Sequence, residues 1–191
     1  MRAFLILHGW DNFRPPGHWQ HELATALRRR GERVVYPQLP HAADPEVEAW
    51  QTAAAAALDE AAAGGARVTV IAHSLAATLW LGGRPDDAGA GSGVDRVLLV
   101  APPSPGFLRD NAEVAAFAEL PLSRPAAETR IVASDADPCC PEGAATIVAE
   151  PLGIPLTTIP GAGHFTIASG YGEWPSVLEW CLDPTATIVA R

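Results

Sequence analysis

A serine lies where a buried strand is expected to turn into a helix. The segment Val68-Thr-Val-Ile-Ala-His-Ser-Leu-Ala-Ala77 begins with four β-branched residues, which favour a strand, and continues into a helix-favouring run. Small neighbours let the backbone turn sharply, and Ala72 and Ala76 stand where glycine is commoner. This pattern favours a nucleophile elbow in which Ser74 attacks an acyl carbonyl. The alternative is that Ser74 merely caps the following helix.

A serine hydroxyl needs a base within hydrogen-bond reach, and the base needs an orienting acid. His164 and two carboxylates, Asp135 and Asp137, each follow a predicted strand in the order Ser, Asp, His. His164 would take the hydroxyl proton and return it to the leaving group, while the carboxylate would hold the imidazole. Asp137 is the preferred acid because the following Pro138 biases it towards an extended conformation.

Backbone donors and aromatic side chains complete the predicted site. The N–H of Leu75, directly after the nucleophile, and the N–H of Trp10, after the first strand, are expected to form the oxyanion hole. Trp10, Phe107 and Phe117 lie in loops that should border the substrate pocket. Residues 102–126 leave room for only a small lid, which favours an open site for small or medium acyl groups.

These groups need a scaffold, and short apolar runs alternate with helix-like segments along the chain. Asp44 is expected to cap the second helix, and Pro141 to lie in the first turn of a helix that runs to residue 152. Alternation of this kind predicts a parallel sheet with helices on both faces, and such sheets carry their functional groups at the carboxyl ends of the strands. The predicted strands are 3–7, 34–36, 68–71, 97–100, 131–133 and 156–159. The second helix, which Asp44 caps, is expected to end at Gly64-Gly65, and the other helices are 19–30, the run after Ser74, and 174–182.

Several short motifs are spread over the chain: His8-Gly9, His18-Trp19, Ala72-His-Ser-Leu-Ala76, Ser134-x-x-Asp137-Pro138, Gly163-His164 and Ser169-Gly-x-Gly-x-Trp-Pro175. Together they resemble those of small serine hydrolases related to retinoblastoma-binding protein 9 and YdeN. The resemblance covers nearly the whole chain and implies a catalytic triad of Ser74, Asp137 and His164. It also implies a compact α/β-hydrolase fold, a three-layer α/β/α sandwich with about six parallel strands and no large cap domain, in one domain over residues 1–191.

Composition limits the partners. The net charge of −9 argues against a nucleic-acid partner, because a phosphate backbone needs a basic face. No apolar run approaches a membrane span or a signal-peptide core, and three cysteines, Cys139, Cys140 and Cys181, fit free thiols in a reducing compartment. A cytoplasmic location is therefore expected.

His18 and His21 have the spacing of metal ligands but no acidic or cysteine ligand nearby in sequence, so neither a metal nor a cofactor is expected. The segment between Gly82 and Gly93 is expected to be a surface loop.

The expected function is that of a carboxylesterase-like serine hydrolase, in EC class 3.1.1, which cleaves small or medium carboxylic esters through an acyl-enzyme. Thioesters and amides are further candidate substrates. Two alternatives remain open at this point. One is a catalytically weak protein that uses the hydrolase fold for binding or as a scaffold, with a protein partner. The other is an aminopeptidase-like amide hydrolase, which would share the machinery and differ in its leaving group.

Overall fold

A parallel β-sheet forms the centre of the molecule. The computed structural model describes residues 1–83 and 93–191, so the loop predicted between Gly82 and Gly93 lies, apart from its ends, outside the described residues. Within those ranges the strands are β1 (Arg2–Leu7), β2 (Arg33–Val35), β3 (Arg67–His73), β4 (Val94–Val100), β5 (Glu128–Ser134) and β6 (Leu156–Ile159). They pair in the order β2-β1-β3-β4-β5-β6, and every one of these pairings is parallel.

Most residues of the inner strands are buried because helices cover both faces of the sheet. Side chains of β1 show the two faces: Leu5 and Leu7 belong to one buried cluster, and Phe4 and Ile6 belong to another. Alternate residues of a strand point to opposite faces, so the two clusters are the two layers of core in a three-layer sandwich. This architecture confirms the fold class predicted from the sequence.

The α-helices are α1 (Trp19–Arg29), α2 (Val47–Ala62), α3 (Leu75–Leu81), α4 (Pro105–Arg109), α5 (Glu150–Leu152) and α6 (Pro175–Leu182). Helices α2 and α3 pack on the first cluster, while α1 and α6 pack on the second. A 3₁₀ helix (Ala115–Glu119) follows α4, and a stretch of π-helix (Ala145–Ala149) precedes α5. None of the helices in the described ranges combines the length and the apolar character that crossing a bilayer requires.

Two predicted helix starts are wrong. Asp44 does not cap α2: its backbone N–H closes a turn on the His41 carbonyl (2.9 Å), and Glu46 is the N-cap residue. Pro141 does not open a helix, because Gly143 has a left-handed φ of +84°, and helical structure begins only at Ala145. Helical structure then continues through Pro151 to Leu152 and ends at Gly153, whose left-handed φ of +60° stops it.

Candidate active site

Ser74 occupies a strained turn between β3 and α3. Its backbone has φ +55° and ψ −123°, a conformation that a residue with a side chain rarely adopts. The flanking Ala72 and Ala76 are fully buried, so larger side chains at these positions would collide with the packed core. The Ser74 backbone N–H donates to the Val100 carbonyl at 2.8 Å, which ties the turn to β4. Local strain of this kind persists only where the surrounding structure holds it in place.

A continuous hydrogen-bond chain joins Ser74 to two residues from other strand ends. The Ser74 hydroxyl lies 2.8 Å from Nε2 of His164, and Nδ1 of His164 lies 2.9 Å from each carboxylate oxygen of Asp137. Asp137 follows β5 and His164 follows β6. With Nδ1–H donated to the carboxylate, Nε2 is free to accept the serine proton. The Asp137 side chain is 1% exposed and that of His164 is 14% exposed, so solvent weakens their interaction little.

Asp135, the other candidate acid, lies apart from this chain. Its Oδ1 accepts the backbone N–H of Gly161 at 2.8 Å, which fixes the turn after β6. Asp137 also accepts a backbone N–H, that of Cys139, at 2.8 Å. The structure therefore brings Ser74, Asp137 and His164 together, and it leaves Asp135 as a residue that holds a loop.

The loop after β1 lies against the serine. A Cβ atom added to Gly9 would come within 2.7 Å of the Ser74 Cβ and 3.2 Å of its Oγ. His8 is fully buried; its Nδ1–H donates to the Gly9 carbonyl (2.8 Å), and its Nε2 accepts the Leu39 N–H (2.8 Å). Because the C=O and N–H of a trans peptide point in opposite directions, the bond to Gly9 orients the Trp10 N–H away from His8.

The two N–H groups expected in the oxyanion hole, those of Trp10 and Leu75, have no hydrogen-bond partner within the described ranges. Each belongs to a residue directly beside the Gly9–Ser74 contact. Unpaired backbone donors are uncommon in folded proteins unless a ligand or water accepts from them. The arrangement is suited to an anionic oxygen at the reacting carbonyl.

Gly9→Ala is expected to lower kcat/KM by about a hundredfold, because the added methyl group must push the loop or the Ser74 side chain out of place. Steady-state ester hydrolysis measures the effect. Gly64→Ala is the matched control: its Cβ meets no atom within 4 Å, so it is expected to affect stability alone. Equal activity of the Gly9→Ala variant and the wild type would contradict close packing of this loop on Ser74.

Two further buried histidines support His164. The Nε2–H of His73 donates to the backbone carbonyl of His164 at 3.0 Å, so His73 fixes the position of the loop that carries His164. The ring of His18 lies 5.6 Å from that of His73, and its Nδ1 accepts the Gln20 N–H as the N-cap of α1. Sequence reasoning placed His73 beside the serine but did not find its bond to His164. The two residues are 91 positions apart, so no local pattern indicates this bond.

These histidines are neutral in the folded protein. Burial lowers the pKa of His8 and of His18 to about 4, and it lowers that of His73 well below the ordinary value. The unfolded chain binds a proton on His8 and on His18 near pH 6.5, whereas the folded chain does so only near pH 4. Between these values the unfolded state holds more protons, so the free energy of unfolding falls as the pH falls.

We therefore expect the protein to lose about 2 kcal/mol of stability for each of His8 and His18 between pH 7 and pH 5. Urea unfolding at the two pH values measures the loss. His8→Gln is expected to be less stable than the wild type at pH 7 but to lose less stability on acidification. A wild type that is equally stable at both pH values would overturn the assignment of neutral, buried imidazoles.

A groove of about 250 Å³ opens over Ser74. Its walls are the loop from Gly9 to Pro15 and the segment from His164 to Ala168, with His18 and His73 at its base. Trp10 lines this groove, as expected, and its indole N–H donates to the Ala43 carbonyl at 3.0 Å. Ile167 also lines it and is 49% exposed; sequence reasoning missed this residue, although it is an apolar side chain three positions after His164.

The other two aromatic residues expected at the pocket lie elsewhere. Phe117 is fully buried and packs edge-on against Trp50 (5.7 Å between ring centroids), so it has no surface for a substrate. Phe107 packs partly buried against the same core cluster and is not among the residues that line the groove. The short α4 and the 3₁₀ helix pack on each other, and the 3₁₀ helix packs on α3, so neither element contributes a residue to the groove over Ser74.

One group of potential metal ligands occurs within the described ranges. It consists of Asp137, Cys139 and His164, and it does not include His18 or His21. All three cysteines are free thiols, Cys139 partly exposed and Cys140 and Cys181 buried. Burial raises the pKa of Cys139 to about 12, with a further contribution from the negative charge of Asp137, so the thiol is protonated at neutral pH.

A parallel sheet with helices on both faces, with a serine on a strained turn after β3, defines an α/β hydrolase. The chain belongs to the serine hydrolase family, whose pattern it matches over residues 4–182. Among curated proteins, none matches this sequence.

Solved structures of low sequence identity share the fold. The ydeN gene product of Bacillus subtilis is 18% identical, with a TM-score of 0.74 over 95% of this chain and 97% of that one. A YdeN-like hydrolase from Pectobacterium atrosepticum is 22% identical, with a TM-score of 0.70 over 94% and 88%. A metagenome-derived lipolytic enzyme from work on LipS and LipT is 13% identical, with a TM-score of 0.66 over 94% and 91%. The resemblance to YdeN-like proteins expected from the motifs is thereby confirmed.

Proposed function

We propose that this serine hydrolase cleaves small or medium carboxylic esters through an acyl-enzyme on Ser74, with His164 as base and Asp137 as orienting acid. The observation that carries the proposal is the continuous hydrogen-bond chain from the Ser74 hydroxyl through His164 to the Asp137 carboxylate, at 2.8 and 2.9 Å. A serine that only caps a helix needs no such chain, and α3 receives no side-chain hydrogen bond from Ser74.

The geometry supports the following first half-reaction. An ester enters the groove with its carbonyl carbon beside the Ser74 Oγ. As Oγ forms a bond to this carbon, its proton passes to Nε2 of His164, and Asp137 stabilises the resulting imidazolium. The carbonyl oxygen becomes an oxyanion, which accepts hydrogen bonds from the backbone N–H groups of Trp10 and Leu75. The tetrahedral intermediate then expels the alcohol, which takes the proton from Nε2, and leaves an ester on Ser74.

Water completes the cycle. It enters the place that the alcohol leaves, gives a proton to Nε2 of His164 and attacks the acyl carbon. Collapse of the second tetrahedral intermediate breaks the bond to Ser74, and the proton returns from Nε2 to Oγ. The carboxylic acid leaves, and the hydrogen-bond chain is restored. No other co-reactant is needed.

The preference for short acyl groups rests on the size of the groove. Its volume of about 250 Å³ is just below the usual range for small-molecule sites. Ile167 and Pro15 provide apolar contact for an acyl chain of a few carbons. A long chain would extend past them into solvent and gain little from the added length. Esters are the leading substrates because an alcohol is a better leaving group than an amine. Its departure therefore depends less on proton donation from His164.

A series of p-nitrophenyl esters tests this proposal. We expect kcat/KM to be highest for acetate to hexanoate and to fall for laurate and palmitate. Mass spectrometry of the peptides released by digestion after rapid quenching should find the acyl group on the peptide that contains Ser74. Acyl thioesters and p-nitroanilides measured in parallel show the preferred leaving group. Exclusive cleavage of long-chain esters would overturn the size preference, and a folded protein without turnover or acylation would favour a binding or scaffold role.

A further inference from the structure

A cysteine thiol lies beside the two residues that assist Ser74. The Cys139 thiol sulfur, a ring nitrogen of His164 and a carboxylate oxygen of Asp137 all lie within 4.8 Å of one another. Three hydrogen bonds hold these residues in place. The Cys139 N–H donates to Asp137, His164 donates to the same carboxylate, and the His73 ring holds the His164 carbonyl.

The chemistry of these three ligand atoms indicates a particular kind of ion. Thiolate, imidazole and carboxylate together are typical of Zn²⁺ and related thiophilic divalent ions, whereas Mg²⁺ and Ca²⁺ prefer oxygen ligands alone. In a tetrahedral zinc site the ligand atoms lie about 3.3 to 3.8 Å apart. The three ligand atoms lie at most 4.8 Å apart in the structure, so they must approach one another by no more than about 1.5 Å to hold the ion. Cys139 is partly exposed, so an ion can approach from its side and keep a water as fourth ligand.

We propose that Asp137, Cys139 and His164 form a binding site for a thiophilic divalent cation, with Zn²⁺ as the reference ion, and that occupation of this site switches hydrolysis off. The inhibitory part of this inference rests on the proposed function. The binding part rests only on the positions of the three ligand atoms.

Binding involves no redox change. The ion replaces the proton on the Cys139 sulfur, and that proton passes to solvent. His164 stays neutral: its ring proton moves from Nδ1 to Nε2, and Nδ1 becomes free to bind the ion. Sulfur, Nδ1 and one Asp137 oxygen then donate their electron pairs to the metal. Because Nε2 now carries the ring proton, it can no longer accept the proton of Ser74, so His164 ceases to act as a base.

Direct binding is measured without reference to activity. Titration of the protein with Co²⁺ should produce a near-ultraviolet thiolate-to-cobalt charge-transfer band with one equivalent of metal, and Zn²⁺ should abolish the band. Cys139→Ala should remove it, while Cys140→Ala, the same change at the neighbouring buried thiol, should retain it. Mg²⁺ should not compete. Absence of the band in the folded wild type, or its loss only in Cys140→Ala, would overturn the site.

Inhibition is measured on the same variants, each relative to its own activity in the presence of a chelator. Zn²⁺ should inhibit ester hydrolysis by the wild type, and the chelator should restore it. Cys139→Ala should raise the Zn²⁺ concentration for half-inhibition about tenfold or more, and Cys140→Ala should leave it within about twofold. Equal inhibition of the Cys139→Ala variant and the wild type would overturn control by this site. A wild type that binds Co²⁺ through sulfur but never hydrolyses an ester would contradict the proposed function and leave the binding site established.

Discussion

Ser74→Ala is expected to lower kcat for ester hydrolysis on the order of a millionfold, because the oxygen that forms the acyl-enzyme is removed. The loss should leave the fold intact, since the Ser74 side chain does not cap α3 and alanine fits the small elbow. Alanine adopts the strained φ of +55° no more readily than serine does, so the two proteins should be of similar stability. Hydrolysis rates and labelling by a fluorophosphonate probe measure the effect.

The matched control for this change is Ser123→Ala. The Ser123 hydroxyl donates to the Leu81 carbonyl at 3.5 Å and lies at the end of α3 remote from Ser74. Labelling should persist in this variant and vanish in Ser74→Ala. Undiminished labelling of Ser74→Ala would assign the nucleophile to another residue and remove the basis of the proposed mechanism.

Asp137→Asn is expected to lower kcat about ten-thousandfold while KM changes little. The carboxylate accepts Nδ1–H of His164 and so leaves Nε2 unprotonated towards Ser74. An asparagine NH₂ group at the same place donates to Nδ1, which puts the ring proton on Nε2, where it can no longer accept from the serine. Steady-state hydrolysis at neutral pH measures the loss.

Asp135→Asn is the control for this second change. It makes the same chemical substitution two residues away, where the side chain accepts from Gly161. Asparagine can also accept this hydrogen bond, so activity should remain within about threefold of the wild type. A larger loss in Asp135→Asn than in Asp137→Asn would reverse the choice of acid.

Most of the sheet could be predicted from local patterns because its strands are buried on both faces. Runs such as 3–7 and 97–100 contain no polar residue, so neither face of these strands can be exposed to solvent. Strands that are buried on both faces are typical of a parallel sheet between two layers of helices. The order of the motifs then places Ser74, Asp137 and His164 at one edge. The carboxyl ends of the parallel strands all lie at this edge. The positions of the three residues directly after predicted strands are therefore enough to indicate that their side chains lie close together.

Features that depend on tertiary packing could not be predicted in this way. An aromatic residue in a loop, such as Phe117, looks the same in sequence whether it lines a groove or packs on Trp50. The predicted start of a helix at Pro141 was wrong because Gly143 has a left-handed backbone conformation. The sequence alone does not show which φ a glycine adopts. The hydrogen bond from His73 to His164 joins residues that are 91 positions apart, and local sequence patterns extend over far fewer residues.

The hydrogen-bond chain also determines when the serine can become reactive during synthesis. Ser74 and His164 lie 90 residues apart, and β6, which precedes His164, is the edge strand that is made last. At a translation rate of about 5 to 20 residues per second, Ser74 precedes its partner by about 5 to 20 seconds. Throughout this interval the nascent chain carries an ordinary alcohol. Reactivity would begin only when β6 docks on β5, so premature acylation of the unfinished chain is avoided by the order of its residues.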